Sequence, residues 1–95
     1  MYAVIFKAEI KELNDEYSNM ALQLRNLALQ EYACIEFTSV TEGMNEITIS
    51  YWKNLEDIKK WKQDPKHLIA QDLGRKEFYQ SHKVQIVEIL REYQA

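Results

Sequence analysis

The sequence predicts an α+β domain, with helical segments laid on one face of a four-stranded antiparallel sheet in the order β-α-β-β-α-β. Three observations carry this expectation. Stretches rich in Val, Ile, Tyr and Phe with a two-residue period fall at 2–10, 34–41, 46–52 and 83–93. Apolar residues at steps of three and four fill the intervals after the first and third of these. Gly43 lies in the short gap between the middle two, where a turn makes them a hairpin. The chain of 95 residues reads as one domain, 1–95, with no repeat, linker or low-complexity segment.

In chain order, the first strand, β1, runs from Tyr2 to Ile10. Tyr2, Val4, Phe6, Ala8 and Ile10 share one face; Ala3, Ile5, Lys7 and Glu9 share the other. Asn14 or Asp15 can cap the next helix, α1, expected over about 15–31. Its stripe is Tyr17, Met20, Ala21, Leu24, Leu27 and Ala28. At 1.5 Å per residue it is about 25 Å long, enough to lie back along a nine-residue strand of about 30 Å. Cys34 to Thr41 reads as β2. Glu42-Gly43-Met44-Asn45 is the turn, and Glu46 to Trp52 is β3. Ile47, Ile49 and Tyr51 share one face of β3; Thr48, Ser50 and Trp52 share the other. Asn54 with Asp57 three residues on resembles a capping box for a short helix, α2, whose apolar face is Leu55, Ile58 and Trp61. Asp64-Pro65 is a strong start signal for a further helix, α3, carrying Leu68, Ile69 and Leu73. Gly74 ends that helix or sits within it. Lys83 to Tyr93 is β4, apolar on both faces: Val84, Ile86 and Leu90 on one, Val87, Ile89 and Tyr93 on the other. This order is the split βαβ, or ferredoxin-like, arrangement.

The second face of the sheet is informative. An antiparallel sheet with one wet face alternates cleanly, and neither β4 nor the first half of β1 does. Nothing within the chain remains to cover that face, so a second copy of the chain is expected there, related by a two-fold axis. Size argues the same way. A domain this small gains little from its own core, and oligomers are a common support. Cys34 is the only cysteine, which excludes an internal disulfide, and no Cys/His spacing suits a structural metal.

Composition excludes several functions. The chain is 46% hydrophobic and 28% charged, with a formal net charge of −3. An acidic chain makes a poor partner for nucleic acid or anionic lipid. Lys59, Lys60 and Lys62 are flanked by Glu56, Asp57 and Asp64 and read as a solvated helix face. No apolar run reaches the length of a membrane span, and the N-terminus lacks the basic lead of a signal peptide. A cytoplasmic location is expected, which suits a lone free thiol.

If 67–78 is one continuous helix, His67, Gln71, Gly74 and Phe78 fall along one line at about 100° per residue. An imidazole, an amide, bare backbone and an aromatic ring would then form one wall of a pocket for a flat, mostly apolar ligand. Trp52 and Trp61 are close in sequence and are either further walls or core. His67 lies in the first turn of its helix, where the dipole favours a neutral ring able to accept a proton; the alternative is a surface histidine beside Lys66. Tyr79 is either a phenolic donor or a core ring. Arg75 either clamps a ligand oxygen or bridges to Asp72. His82 reads as structural or exposed, and Cys34 as a small buried group. No Gly-rich phosphate loop, nucleotide fingerprint or Ser-His-Asp order is present, so no cofactor site is expected.

At EITISYW, at WKQDPKHLIAQDLGRKEFY and at KVQIVEILREY the chain resembles the antibiotic biosynthesis monooxygenase family, from about Val4 to Tyr93. The most specific part is W-x5-H-x3-Q-x2-GR, from Trp61 to Arg75, followed by Phe78-Tyr79. The resemblance implies a dimeric α+β barrel, in which two ferredoxin-like sheets close on each other. It further implies a cofactor-independent monooxygenase acting on a small aromatic phenol or quinol with O₂, or a non-catalytic ligand-binding protein of the same fold. On that reading His67 or Tyr79 is the polar, catalytic handle, and Trp52, Trp61, Gln71, Arg75 and Phe78 bind the ligand. A haem-degrading branch of the fold uses an Asn on β1 and a His about ten residues beyond the Trp. Here Lys7 and Gln71 stand at those places, so the axial ligand is missing.

Overall fold

A computed structural model describes residues 1–95. The elements are β1 (Tyr2–Ile10), α1 (Asp15–Glu31), β2 (Glu36–Glu42), β3 (Asn45–Trp52), α2 (Leu55–Gln63), α3 (Pro65–Leu73), one π-helical turn (Gly74–Phe78) and β4 (Tyr79–Glu88). The sheet has the order β2-β3-β1-β4 with every pair antiparallel, which is the ferredoxin-like topology.

Local chemistry sets most of the boundaries. Asn14 caps α1 by accepting the Tyr17 N–H at 2.8 Å. The helix ends without a glycine: Ala33 takes the left-handed conformation at φ 61°, and the Cys34 N–H returns to the Ala28 carbonyl. Gly43 turns the β2–β3 hairpin at φ 61°. Asp64 caps α3 through the Lys66 N–H at 2.8 Å, with Pro65 at its first position. Asn54 makes no side-chain cap; its amide instead donates to Asp57, at 3.3 Å.

Three boundaries differ from the sequence expectation for physical reasons. β4 begins at Tyr79, not at Lys83, because a wide π turn replaces the end of a regular helix and delivers Tyr79 straight into the sheet. It ends at Glu88, not at Tyr93: the last pair with β1 is Tyr2↔Glu88, followed by one bond from Ile89 N–H to the Met1 carbonyl at 3.0 Å. β2 starts at Glu36, after the sharp turn at Ala33.

The helices cover one face of the sheet. The domain is 18 Å thick along its shortest axis, which is two layers at a spacing of about 10 Å. Only 15 of 95 residues are buried, so the core is as thin as the length suggests. Its main cluster joins Val4, Ala28, Cys34, Trp52, Ile58 and Trp61. A second cluster joins Ile10, Tyr17 and Phe78. The opposite sheet face carries Ile5 against Ile49, Ala3 against Tyr51 and Val87, and Ile47 against Val40. No helix packs there. No helix is long and apolar enough to cross a membrane.

Candidate functional site

β3 turns the usual pattern over. Its helix-facing residues are Glu46, Thr48, Ser50 and Trp52, while Ile47, Ile49 and Tyr51 point to the open face. A strand that sends its aliphatic side chains outward and its polar ones inward serves both faces. The open face is left as an uncovered apolar surface, and the inner face lines something other than plain core.

That something is a cavity of about 120 Å³ between sheet and helices. The sheet supplies its floor through Val4, Phe6, Phe37, Thr48 and Val84. Met20, Ala21 and Leu24 of α1 form one wall; Trp61 of α2 and His67, Ala70 and Gln71 of α3 form the other. Tyr17, Glu46, Tyr79 and His82 close the end near the start of α1. The cavity is mostly apolar with a few convergent polar groups, the usual character of a small-molecule site.

The aromatic groups form a connected frame. Phe6 lies 5.3 Å from Tyr79 and 6.2 Å from His82 between ring centroids. Trp61 meets His67 edge to face at 4.5 Å and Phe37 at 6.1 Å. Two polar atoms on this frame are buried with no protein partner: Trp61 Nε1 and His67 Nδ1. Orphaned buried donors and acceptors carry a cost unless something fills them.

Electrostatics sort the candidate proton carriers. His67 is pushed down to about 4, first by burial and then by Lys62. It is therefore neutral at pH 7, as the sequence suggests, but the main cause is desolvation. A ring this weakly basic accepts a hydrogen bond better than a proton. The Tyr79 phenol is pushed well above its ordinary value by burial, with the charge of Glu46 adding to it. It keeps its proton, and serves as a hydrogen-bond donor and not as an acid. Glu46 is 6% exposed and accepts a hydrogen bond from the Tyr17 hydroxyl. Burial raises its carboxyl; a Thr48 hydrogen bond at 3.4 Å opposes that.

The structure brings His67, Tyr79, Trp61 and Gln71 to this cavity and leaves Trp52, Arg75 and Phe78 out of it. Trp52 is wholly buried behind Trp61, at 5.3 Å between centroids, and donates its Nε1–H to Ser50 Oγ at 2.8 Å. Arg75 is exposed and reaches Asp72 at 3.8 Å. Phe78 packs on Tyr17 and Ile10. The assumed straight helix explains the last two misplacements. α3 stops at Leu73, and the π turn that follows closes Tyr79 N–H onto the Gly74 carbonyl, so positions after Gly74 rotate off the line of His67 and Gln71. Gly74 has its own reason to be there. A Cβ at this position would overlap the Tyr79 ring, at 2.8 Å from Cδ2, so the bare backbone is what lets that ring lie down toward the cavity.

Sequence reasoning passed over Glu46, Tyr17, Phe6 and His82. For Glu46 the signal was available in parity, because it shares the even-numbered face of β3 with Trp52. Tyr17 and Phe6 were read only as core stripe, and they are both stripe and cavity wall. Cys34 is buried as expected, and its thiol contacts the Glu36 and Tyr51 carbonyls at 3.3 and 3.5 Å.

No family model matches the chain. The uncharacterized protein YqjZ of Bacillus subtilis (strain 168) is 30% identical over 92 residues, which is 96% of this chain and 81% of that protein. Among solved structures, SnoaB, a cofactor-independent oxygenase from Streptomyces nogalater, gives a TM-score of 0.80 at 8% identity over 96% of this chain and 94% of its own. A conserved protein from Methanosarcina mazei Go1 gives 0.79 at 18% identity over 90% and 89%. An antibiotic biosynthesis monooxygenase gives 0.68 at 13% identity over 96% and 100%. At these identities the likeness to the solved structures is one of fold.

Proposed function

We propose that this chain, which belongs to the family of Bacillus subtilis YqjZ and has the fold of the antibiotic biosynthesis monooxygenases, is a homodimeric, cofactor-independent monooxygenase that oxidises a small electron-rich phenol or quinol with O₂. The observation that carries this reading is the cavity: apolar and aromatic walls, with buried polar groups at its two ends. The overall reaction balances without a cofactor. Four electrons leave the ring, one oxygen atom enters it, and the other leaves as water. The substrate supplies the electrons, so the protein has to bind the ring, exclude water and manage a proton. Trp61 Nε1–H donates to a ligand oxygen, His67 Nδ1 accepts from a ligand hydroxyl, and Tyr79 donates from the opposite end.

The open sheet face supports the homodimer. Ile5, Ile49, Tyr51 and Val87 form the centre of an apolar surface rimmed by Lys7, Lys83 and Glu36, and a second copy of the same face covers it.

Oxygen uptake by the metal-free protein with substituted hydroquinones tests the reading. Protein-dependent uptake well above the autoxidation rate is expected, with one oxygen atom from ¹⁸O₂ in the product. Tight binding of the same quinols with no uptake would instead identify a ligand-binding protein without turnover.

A further inference from the structure

We propose that Glu46 is the proton acceptor of this cavity, and that the ligand it serves is a phenol of a single ring, bound with its hydroxyl on Glu46 Oε1. The proposal rests on the phenol-oxidation reading above and narrows it in substrate and in residue.

Geometry singles out Glu46. It lines the cavity and is 6% exposed. A buried carboxylate is normally paired with a cation, yet both ion pairs in the protein are made by half-exposed Asp72, to Arg75 and Lys76. One oxygen, Oε2, takes the Tyr17 hydroxyl; the other, Oε1, has only the Thr48 hydroxyl at 3.4 Å. Oε1 is thus the loosely held oxygen of the one carboxylate on the cavity wall. Neither tyrosine beside it is a competing base. Tyr17 from α1 is committed to Oε2, and Tyr79 from β4 holds its proton. His82 of β4 lies across the sheet in the same row, since both it and Glu46 pair with Ala8. Lys62 and His67 line the cavity from the helix side, and His67 is too weak a base at neutral pH. A proton route away from Glu46 is also present: Thr48 is 2.8 Å from Ser39, which is exposed.

Volume fixes the size of the ring. At about 120 Å³ the cavity is close to the engineered protein cavity of about 150 Å³ that binds benzene. One substituted ring fits between Glu46 and the Trp61–His67 pair; three fused rings do not. In the step assigned to Glu46, the ring's O–H bond breaks and an O–H bond to Oε1 forms. The electron pair stays on the ring oxygen, and the transfer is completed as electrons pass from the ring to O₂.

The test uses the full chain with methylhydroquinone as substrate, 4-nitrophenol and 4-nitroanisole as binding probes, and anthrone as the three-ring control. Wild type is expected to bind 4-nitrophenol at least tenfold more tightly than 4-nitroanisole, which lacks the donor, and to exclude anthrone. Glu46→Gln should reduce that preference several-fold and lower kcat for oxygen uptake by about 10²–10⁴. It should also abolish the rise of rate with pH that reports ionisation of the base. Tyr17→Phe, a positioning variant, removes a hydrogen bond to the carboxylate and should move that rise to higher pH.

Stability supplies a check that any merely structural role fails. Because burial raises the Glu46 carboxyl above its ordinary 4.5, its contribution to stability is present below about pH 4.5 and lost as pH rises through the folded value. At pH 7 Glu46→Gln should therefore raise Tm while it lowers the rate. If Glu46→Gln keeps the rate and its pH limb, oxygen uptake stands and Glu46 is not the base. If anthrone binds as well as methylhydroquinone, the single-ring assignment falls. If wild type takes up no oxygen but the nitrophenol preference depends on Glu46, the ligand assignment stands and the oxygenase reading fails.

Discussion

Trp52→Ala is expected to cost about 3–5 kcal/mol, the range for truncating a fully buried aromatic. The side chain is 0% exposed and lies in the cluster of Val4, Ala28, Ile58 and Trp61. Its removal opens a void at the thickest part of a thin core. It also strands Ser50 Oγ, which is buried and accepts the indole N–H at 2.8 Å. Small domains have total stabilities of only about 5–15 kcal/mol, so the variant should sit near its unfolding threshold. A urea titration checks this through a large fall in midpoint at similar slope. Leu55→Ala, on the same sheet-to-helix connection but half exposed, is the control and should cost far less. The contrary outcome is a nearly unchanged midpoint with lost ligand affinity, which would return Trp52 to the ligand site.

Ile49→Asp is expected to split the proposed dimer, weakening association by at least about 100-fold. Ile49 is at the centre of the open face, opposite Ile5 on β1 and Thr38 on β2. Two-fold symmetry places both copies of a central residue near the axis, so one substitution introduces two like charges at once. Like charges facing each other across an interface cost several kcal/mol. Wild type should sediment as twice 11.3 kDa and the variant as a single chain. If the sheet face is part of the folded unit, the variant's Tm should also become lower and depend on concentration where dimer still forms. A wild-type protein that sediments as one folded chain at micromolar concentration contradicts the dimer.

Much of this was legible in the sequence. The strand alternation, the Asn14 and Asp64-Pro65 caps, the Gly43 turn and the surplus of apolar strand surface are local signals, and each sits within a few residues of its place. His67 and Gln71 could be brought to one wall by helical spacing alone, because the regular part of α3 obeys it; Trp61, on α2, was only near in sequence and open between wall and core. Arg75 and Phe78 could not, since the π turn at Gly74 changes the winding and only the fitted Tyr79 ring explains why. For Glu46, parity gave the face but not the burial. On its own, an acidic residue at the start of a strand after a turn reads as a solvated end, and only the pairing of β3 with β1, Ala8 against Glu46, carries it beneath Tyr17. The end of β4 depends likewise on its register with β1, Tyr2 against Glu88, which no pattern within residues 83–93 contains.

A crystal of the protein soaked anaerobically with methylhydroquinone tests ring binding most directly. One ring is expected between Phe6 and Leu24, with a hydroxyl oxygen at about 2.6–3.2 Å from Glu46 Oε1 and the far substituents toward Trp61 and His67. A ring bound only on the open sheet face, or a cavity without one at saturating concentration, would contradict it.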